Sequence, residues 1–278
     1  MSDPRSGKGS TGSPWKRTLT TPTSESTPRP PRPVNEQRLY GLNACLAAFA
    51  KRPDDLRKVW LLETRLAQLK AVLAWCVKHR LGYRVVEVGD LDKLTGSRHH
   101  EGVCFEMVKR APMTLTALLD KSANRDDASL LVWLDGVGNP HNLGALLRSA
   151  AHFGISGVIV PSASSLELSG AAARVAEGGA EAVDIVRVDD EPRAIAALRA
   201  AGYAIAATVP REGLPVHDAD LPARLVLVFG AEGEGMSASL IAAADLRLSI
   251  PGSGVVESLN IAASAAILFS EYRRRYRL

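Results

Sequence analysis

The stretch LSIPGSGVVESLNIAASAAILFSEYRRR, residues 248–275, combines an apolar strand, a polar loop rich in Gly and Ser, and a helix. Two earlier stretches follow the same order, LDGVGNPHNLGALLRSA at 134–150 and LVFGAEGEGMS at 227–237. In an open α/β sheet, loops at the strand ends gather at one edge and build the ligand site. The three loops therefore predict a single site at one edge of a sheet.

The pattern around these loops indicates an α/β domain over residues 129–278. Strands that are apolar on both faces and alternate with helices are typical of a mostly parallel sheet covered on both sides. We predict strands at 130–135, 157–160, 182–188, 203–209, 224–230 and 246–250. Helices are predicted at 142–153, 170–177, 191–201, 237–243 and 258–274.

A second, smaller α/β module is predicted over residues 37–110. Asn35 is interpreted as the N-cap of a helix that runs to Phe49. Further strands are predicted at 58–63, 83–88 and 102–108, with helices at 65–80 and 90–95. Residues 111–128 are interpreted as a linker that contains a helix from Leu115 to Lys121.

Residues 1–36 differ from both modules in composition. They contain seven prolines, many Ser and Thr, and few large apolar side chains. Such a segment cannot bury enough surface to offset its conformational entropy, so a disordered basic tail is expected. It would serve either as an arm that touches RNA or as a spacer, and its residues favour neither.

The charge of the chain is unevenly distributed. Residues 37–110 contain 14 Lys and Arg against 8 Asp and Glu, whereas residues 111–278 contain 14 against 19. Basic surfaces attract polyanions through the release of counterions, which makes nucleic acid the first partner to consider. A solvated surface with scattered Lys and Arg would explain the same balance equally well.

Several classes of protein are disfavoured by what the sequence lacks. No apolar run approaches the roughly 20 residues of a membrane span, and the N-terminus has no signal core. We therefore expect a cytoplasmic protein that keeps Cys45, Cys76 and Cys104 as reduced thiols. GAEGEG at 230–235 does not fit the dinucleotide fingerprint, no P-loop lysine is present, and no spacing of His, Cys and acids predicts a metal site.

The three loop segments resemble the three sequence motifs of the SpoU/TrmH family of RNA 2′-O-ribose methyltransferases, in the SPOUT superfamily. The resemblance covers about 150 residues, and residues 37–110 resemble the small RNA-binding domain that often precedes this catalytic domain. One departure is Gly252-Ser253-Gly254, where the family often has a Met-containing turn. The residues that match the motifs are Asn142, Gly144, Arg148, Glu232, Ser258, Leu259 and Asn260.

The resemblance implies a trefoil knot, a homodimer, and methyl transfer from S-adenosylmethionine to a ribose 2′-hydroxyl in structured rRNA or tRNA. Arg148 would act on that hydroxyl as a base or as an electrostatic stabiliser, and the two roles stay open. The residues expected to orient the substrate are Asn142, Glu232, Ser258 and Asn260. The residues expected to line the cofactor pocket are Thr208, Val209, Pro210, Gly230, Ile250 and Leu259.

Two other functions are considered beside this one. A non-catalytic RNA-binding or ribosome-assembly protein that retains the knotted fold would show the same module order. Methylation of a base by another branch of the superfamily is disfavoured by the arginine in the first motif. The residues do not identify the RNA or the nucleotide.

Overall fold

A computed structural model describes residues 35–123, 128–231, 233 and 235–276. These described residues form one compact unit that contains two separate sheets. The tail predicted at 1–36 lies outside the described residues, except for its last two positions. No helix in the described ranges is long and apolar enough to cross a bilayer.

The first sheet has four strands in the order β1-β4-β2-β3. Its strand β4 runs antiparallel to β1 and β2, while β3 pairs with β2 in parallel. Helices α1 and α2 cover one face, where Leu39, Val59 and Phe105 are fully buried. The elements are β1 (Glu36–Tyr40), α1 (Leu42–Lys51), β2 (Leu56–Leu61), α2 (Lys70–Lys78), β3 (Gly82–Val85), α3 (Val88–Thr95) and β4 (Val103–Val108), with short 3-10 turns at Pro53–Asp55 and Glu63–Arg65.

The helix predicted from Asn35 to Phe49 is wrong in its first part. Residues Glu36–Tyr40 form strand β1, which pairs with β4 along its whole length. Gly41 separates this strand from helix α1, which begins at Leu42. The cap signal at Asn35 is local, and pairing with a strand almost 70 residues later overrides it.

The second sheet has seven strands in the order β7-β6-β5-β10-β8-β11-β9, and every pairing is parallel. The predicted α/β class with a mostly parallel sheet is confirmed. The two-residue strand β9 was not predicted. The strands are β5 (Ser129–Leu134), β6 (Gly157–Pro161), β7 (Asp184–Val188), β8 (Ala204–Thr208), β9 (Leu214–Pro215), β10 (Arg224–Phe229) and β11 (Leu246–Ser249).

Helices cover both faces of this sheet, as the doubly apolar strands predict. Helices α5 and α10 pack over Val132 and Leu227 on one face, whereas α4, α8 and α9 pack over Trp133 and Val226 on the other. Each fully buried large side chain contributes about 1.5–3 kcal/mol to this packing. The helices are α4 (Leu115–Ala123), α5 (Pro140–Phe153), α6 (Gly170–Val175), α7 (Gly179–Ala182), α8 (Glu191–Ala200), α9 (Ala238–Ala243) and α10 (Ile261–Arg275).

The segment interpreted as a linker, residues 111–128, packs onto the second sheet where it is described. Met113 forms a parallel bridge with β7, and Leu118 of α4 is fully buried in the core. Arg110 and Lys121 both pair with the buried carboxylate of Asp184. Because a buried carboxylate needs its partners, these ion pairs hold the segment against β7.

Residues 170–182, which contain α6 and α7, contact both modules and are called the bridging segment below. Gly170 lies so close to β1 that an added Cβ would come within 2.5 Å of a β1 carbonyl oxygen. Arg52, which directly follows α1, donates hydrogen bonds to both carboxylate oxygens of Glu181, at 2.8 and 3.0 Å. On their other side, α6 and α7 pack against α5. The small module is therefore fixed to the helix that follows the first loop.

The three cysteines lie in the small module, and all are buried. No disulfide joins them within the described residues, as predicted. Burial raises the pKa of the Cys45 thiol well above its ordinary value and also raises the pKa of the Cys76 thiol. Thiols in such surroundings are poor nucleophiles, so we assign these side chains to packing.

Helix α10 ends in an ionic cluster around the buried Glu271, whose side chain is 6% exposed. Arg274 donates to this carboxylate at 2.7 Å and Arg275 at 3.2 Å, while His217 lies 3.5 Å away. The hydrogen bond from Arg274, joined by that from Arg275, lowers the pKa of Glu271 from 4.5 to about 2 although burial opposes the shift.

The stability of the fold should depend on pH through this carboxylate. Its pKa is lower in the folded state, so its contribution is present above about pH 4.5 and is lost as the pH falls towards 2. We expect Glu271→Gln to reduce the free energy of unfolding by about 2 kcal/mol at pH 7 and by much less at pH 3. Urea denaturation at both pH values checks this, with the exposed Glu257→Gln as control. An equal loss at both pH values would contradict the assignment.

Candidate active site

Asn142 and Asn260 join the first and third loops. Asn142 lies in the first turn of α5 and is buried, while Asn260 is the N-cap of α10, where its Oδ1 accepts from the backbone N–H of Ala262 at 2.9 Å. The Nδ2 of Asn260 donates to the Oδ1 of Asn142 at 3.0 Å. Helix α10 thus begins at Ile261, three residues later than predicted, because Asn260 caps it.

Asp135 joins the first and second loops, and sequence reasoning missed it. This residue directly follows β5, and its backbone N–H donates to the carbonyl oxygen of Phe229 at the end of β10. Its Oδ2 accepts from the backbone N–H of Ser237 at 2.7 Å. An acidic residue directly after an apolar strand was the available signal. Through Asp135 the end of β5 holds the loop that follows β10.

Arg148 lies on α5 six residues, or about 1.7 turns, beyond Asn142, and its side chain is exposed. Six residues of helix span about 9 Å along the axis, and helical side chains tilt back towards the N-terminus. Within the described residues, its guanidinium takes part in no hydrogen bond or ion pair. An exposed cation that none of the described residues pairs with is available to bind an anion.

Three of the residues predicted for a cofactor pocket lie at the ends of adjacent strands. Thr208 ends β8, Gly230 follows β10, and Ile250 follows β11, and these three strands are neighbours in the sheet. The Oγ1 of Thr208 donates to a β10 carbonyl at 2.8 Å, and the N–H of Val209 donates to a β11 carbonyl at 2.9 Å. These bonds hold the three strand ends together as one surface.

The loop after β10 turns tightly at Gly230. The backbones of Ala231 and Gly235 exchange two hydrogen bonds, at 2.8 and 3.0 Å, which close the turn. A Cβ at position 230 would collide with the backbone of Gly235. Glycine is therefore required at this close approach, which holds the turn against the end of β10.

Family models match both modules of the chain. Residues 129–270 match the SpoU rRNA Methylase family, which is half of the chain. The chain belongs to the SpoU rRNA methylase family. Residues 38–113 match the model described as RNA 2'-O ribose methyltransferase substrate binding. Membership in the SpoU family confirms the resemblance seen in the three motifs.

Curated relatives and solved structures agree with this membership. The protein YfiF of Escherichia coli O157:H7, named as an uncharacterized tRNA/rRNA methyltransferase, is 39% identical over 242 residues, which are 87% of this chain and 69% of YfiF. The 23S rRNA (guanosine-2'-O-)-methyltransferase RlmB of Shewanella oneidensis is 33% identical over 239 residues, 85% of this chain and 97% of RlmB. The AdoMet-bound rRNA methyltransferase of Sinorhizobium meliloti matches with a TM-score of 0.72 and 25% identity, over 87% of this chain and 88% of that one.

The predicted enzyme class is confirmed: this SpoU family member is an RNA 2′-O-ribose methyltransferase. The α/β architecture agrees with that of SpoU methyltransferases of known structure. The trefoil knot and the homodimer stay predictions.

The remaining predicted site residues of the SpoU domain either lie outside the described residues or are exposed in loops. Glu232 lies outside the described residues, so its role stays a prediction. Ser258 and Leu259 lie in the exposed loop 251–260, directly before Asn260, and Pro210 is exposed beyond Val209. The structure thus brings the first and third motifs into contact and leaves Arg148 apart on the exposed side of α5.

Proposed function

We propose that this chain transfers the methyl group of S-adenosylmethionine to a ribose 2′-hydroxyl of ribosomal RNA. The hydrogen bond between Asn142 and Asn260 carries the proposal, because it joins two motifs beside the strand ends where a donor would bind. The basic module at 37–110 would hold the RNA through its phosphates. Relatives named RlmB act on 23S rRNA, which makes 23S rRNA the first substrate to test.

The loops after β8, β10 and β11 would hold the methyl donor. Adenosine offers flat apolar faces and a polar edge, and the backbone groups at these three strand ends would approach a ligand of that shape closely. Ile250 and Leu259 would supply apolar contacts, and residues 208–210 would form the facing wall. When bound, S-adenosylmethionine supplies an electrophilic methyl group on a sulfonium centre.

Arg148 would bind an RNA phosphate beside the target ribose and stabilise the negative charge that develops on the 2′-oxygen. We favour this role over that of a base, since a guanidinium keeps its proton at neutral pH. Preorganised donors directed at developing charge are the largest source of catalysis in many enzymes. Asn142 and Asn260, together with Glu232 and Ser258, would orient the ribose for in-line attack.

The proposal also includes a homodimer and a trefoil knot. Val255 and Val256 are 87% and 67% exposed in the loop 251–260, and a second copy of the chain would cover them in a homodimer. Strand β11 lies between β8 and β9, which both precede it in the chain, and in a trefoil knot the C-terminal segment would thread a loop formed by earlier residues. A cytoplasmic location, where ribosomal RNA is found, goes with this function.

The test is methyl transfer by the chain of 278 residues. Purified protein would be incubated with tritiated S-adenosylmethionine and unmodified 23S rRNA, 16S rRNA or tRNA transcripts, with donor affinity measured by calorimetry. We expect donor binding and a labelled 2′-O-methylnucleoside from 23S rRNA. Label on a base would overturn the reaction class. Failure to bind the donor would favour a non-catalytic RNA-binding protein.

A further inference from the structure

A cleft of about 500 Å³ lies on the α5 side of the second sheet, over β6 and β7. It is separate from the strand ends of β8, β10 and β11, where the donor would bind. Residues 109–114 form its outer wall, and we call it the junction cleft. Its floor is apolar and consists of Leu143, Val160, Leu166, Leu168 and Ile185.

The rim of the junction cleft is basic. Lys109, Arg110 and Arg187 line it, against the single acid Glu167. Arg187 donates to two backbone carbonyls of residues 164–166, which are neutral groups and leave its positive charge uncancelled. Arg110 shares the carboxylate of Asp184 with a second cation, so that site also keeps a net positive charge. The rim therefore attracts anions.

Both modules build the cleft. Lys109 to Met113 belong to the segment that matches the RNA substrate-binding model, whereas Leu143 and the rest of the floor belong to the methylase match. Leu143 directly follows Asn142 in the first turn of α5. The ion pairs of Asp184 and the bridging segment hold the two walls together, so the cleft is formed before any ligand binds.

We propose that the junction cleft binds an unpaired nucleotide of the RNA substrate, at a position other than the methylated ribose. The inference rests on the proposed function and extends it to substrate recognition. RNA is read largely through bases that leave the stack and lie on apolar or aromatic surfaces. The apolar floor would take the base, the basic rim would take its phosphates, and the volume lies within the range of ligand pockets.

Two polar side chains on the wall fit the edge of a base. Gln37 offers an amide donor and an amide acceptor, and Thr114 offers a hydroxyl, both beside the apolar floor. Hydrogen bonds of this kind read the edges of a flipped-out base, which gives sequence preference at the bound position. The junction cleft would thus select the RNA, while the strand-end loops perform the transfer.

The test fills the cleft without disturbing the core. Ala117 is an exposed residue of α4 that lines the cleft, so Ala117→Trp places an indole inside it. We expect the KM for 23S rRNA to rise about tenfold, with kcat and the affinity for S-adenosylmethionine within about twofold. The matched control is Ala196→Trp, at an exposed position of α8 that does not line the cleft. An unchanged KM, or an equal rise in the control, would overturn the proposal.

A second variant tests the basic rim of the cleft, and it can be measured even if Ala117→Trp does not fold. Lys109→Glu reverses an exposed charge and should weaken binding of 23S rRNA, whereas Arg193→Glu on α8 should have a smaller effect. In the wild type, a transcript containing 4-thiouridine should cross-link to residues 109–114 or 185–187. Cross-links confined to other regions would overturn the proposal that the cleft binds RNA. Loss of a homodimer in Ala117→Trp would overturn it as well and would indicate that a second copy of the chain occupies the cleft. An inactive wild type would instead contradict the proposed function.

Discussion

Arg148→Ala is expected to abolish methyl transfer, with kcat reduced at least about 100-fold. The guanidinium would no longer hold the RNA phosphate or stabilise the developing alkoxide. The affinity for S-adenosylmethionine should stay within about twofold, because the donor loops follow β8, β10 and β11 and Arg148 lies on α5. Single-turnover methylation with saturating RNA and donor measures the first effect, and calorimetry measures the second.

The position of Arg148 makes this variant easy to interpret. Its side chain is exposed and enters no hydrogen bond or ion pair with the described residues, so its removal should leave the fold intact. Arg193→Ala, which removes an exposed arginine from α8, is the matched control and should keep normal turnover. Near-normal turnover in Arg148→Ala would remove this residue from the mechanism.

Asn260→Ser is expected to separate the two roles of Asn260. Serine is a good N-cap, so α10 should keep its start and the free energy of unfolding should change little. Its side chain is too short to reach Asn142, so the bond between the first and third motifs would be lost. We expect kcat/KM for RNA methylation to fall about 100-fold, as for the loss of a positioned polar group in an active site.

Asn260→Ala serves as the companion variant. It removes the cap as well as the bond to Asn142, so it should lose activity to a similar extent and also about 1 kcal/mol of stability. Thermal unfolding and steady-state kinetics on both variants provide the comparison. If Asn260→Ser kept the full activity of the wild type, the contact with Asn142 would be irrelevant to catalysis and the role of Asn260 would be structural.

The parallel sheet and its three loops could be predicted because both depend on local pattern. Apolar strands alternate with helices along residues 129–278, and each loop directly follows its strand. The same reasoning failed at Glu36–Tyr40, where the partner strand is β4, far along the chain. A short polar segment of five residues does not carry enough local signal to be recognised as an edge strand.

The sequence predicted the residues within each loop of the site, but it did not predict the contacts that join one loop to another. The residues of each motif stand together in the sequence, so Asn142 and Asn260 were identified without a structure. Asp135 was missed because its role depends on β5 and β10 being neighbours, although 90 residues separate the two strands. The junction cleft was missed for a related reason, since its walls come from both modules and from a segment interpreted as a linker.

The bridging segment has a consequence for how the enzyme would measure its substrate. With Gly170 seated on β1 and Glu181 clamped by Arg52, the small module cannot swing freely about the catalytic domain. The protein would then fix the distance between the nucleotides bound by the small module and the ribose placed beside the methyl donor. An RNA in which that distance differs would still bind to the small module, but its ribose would lie away from the donor and would not be methylated.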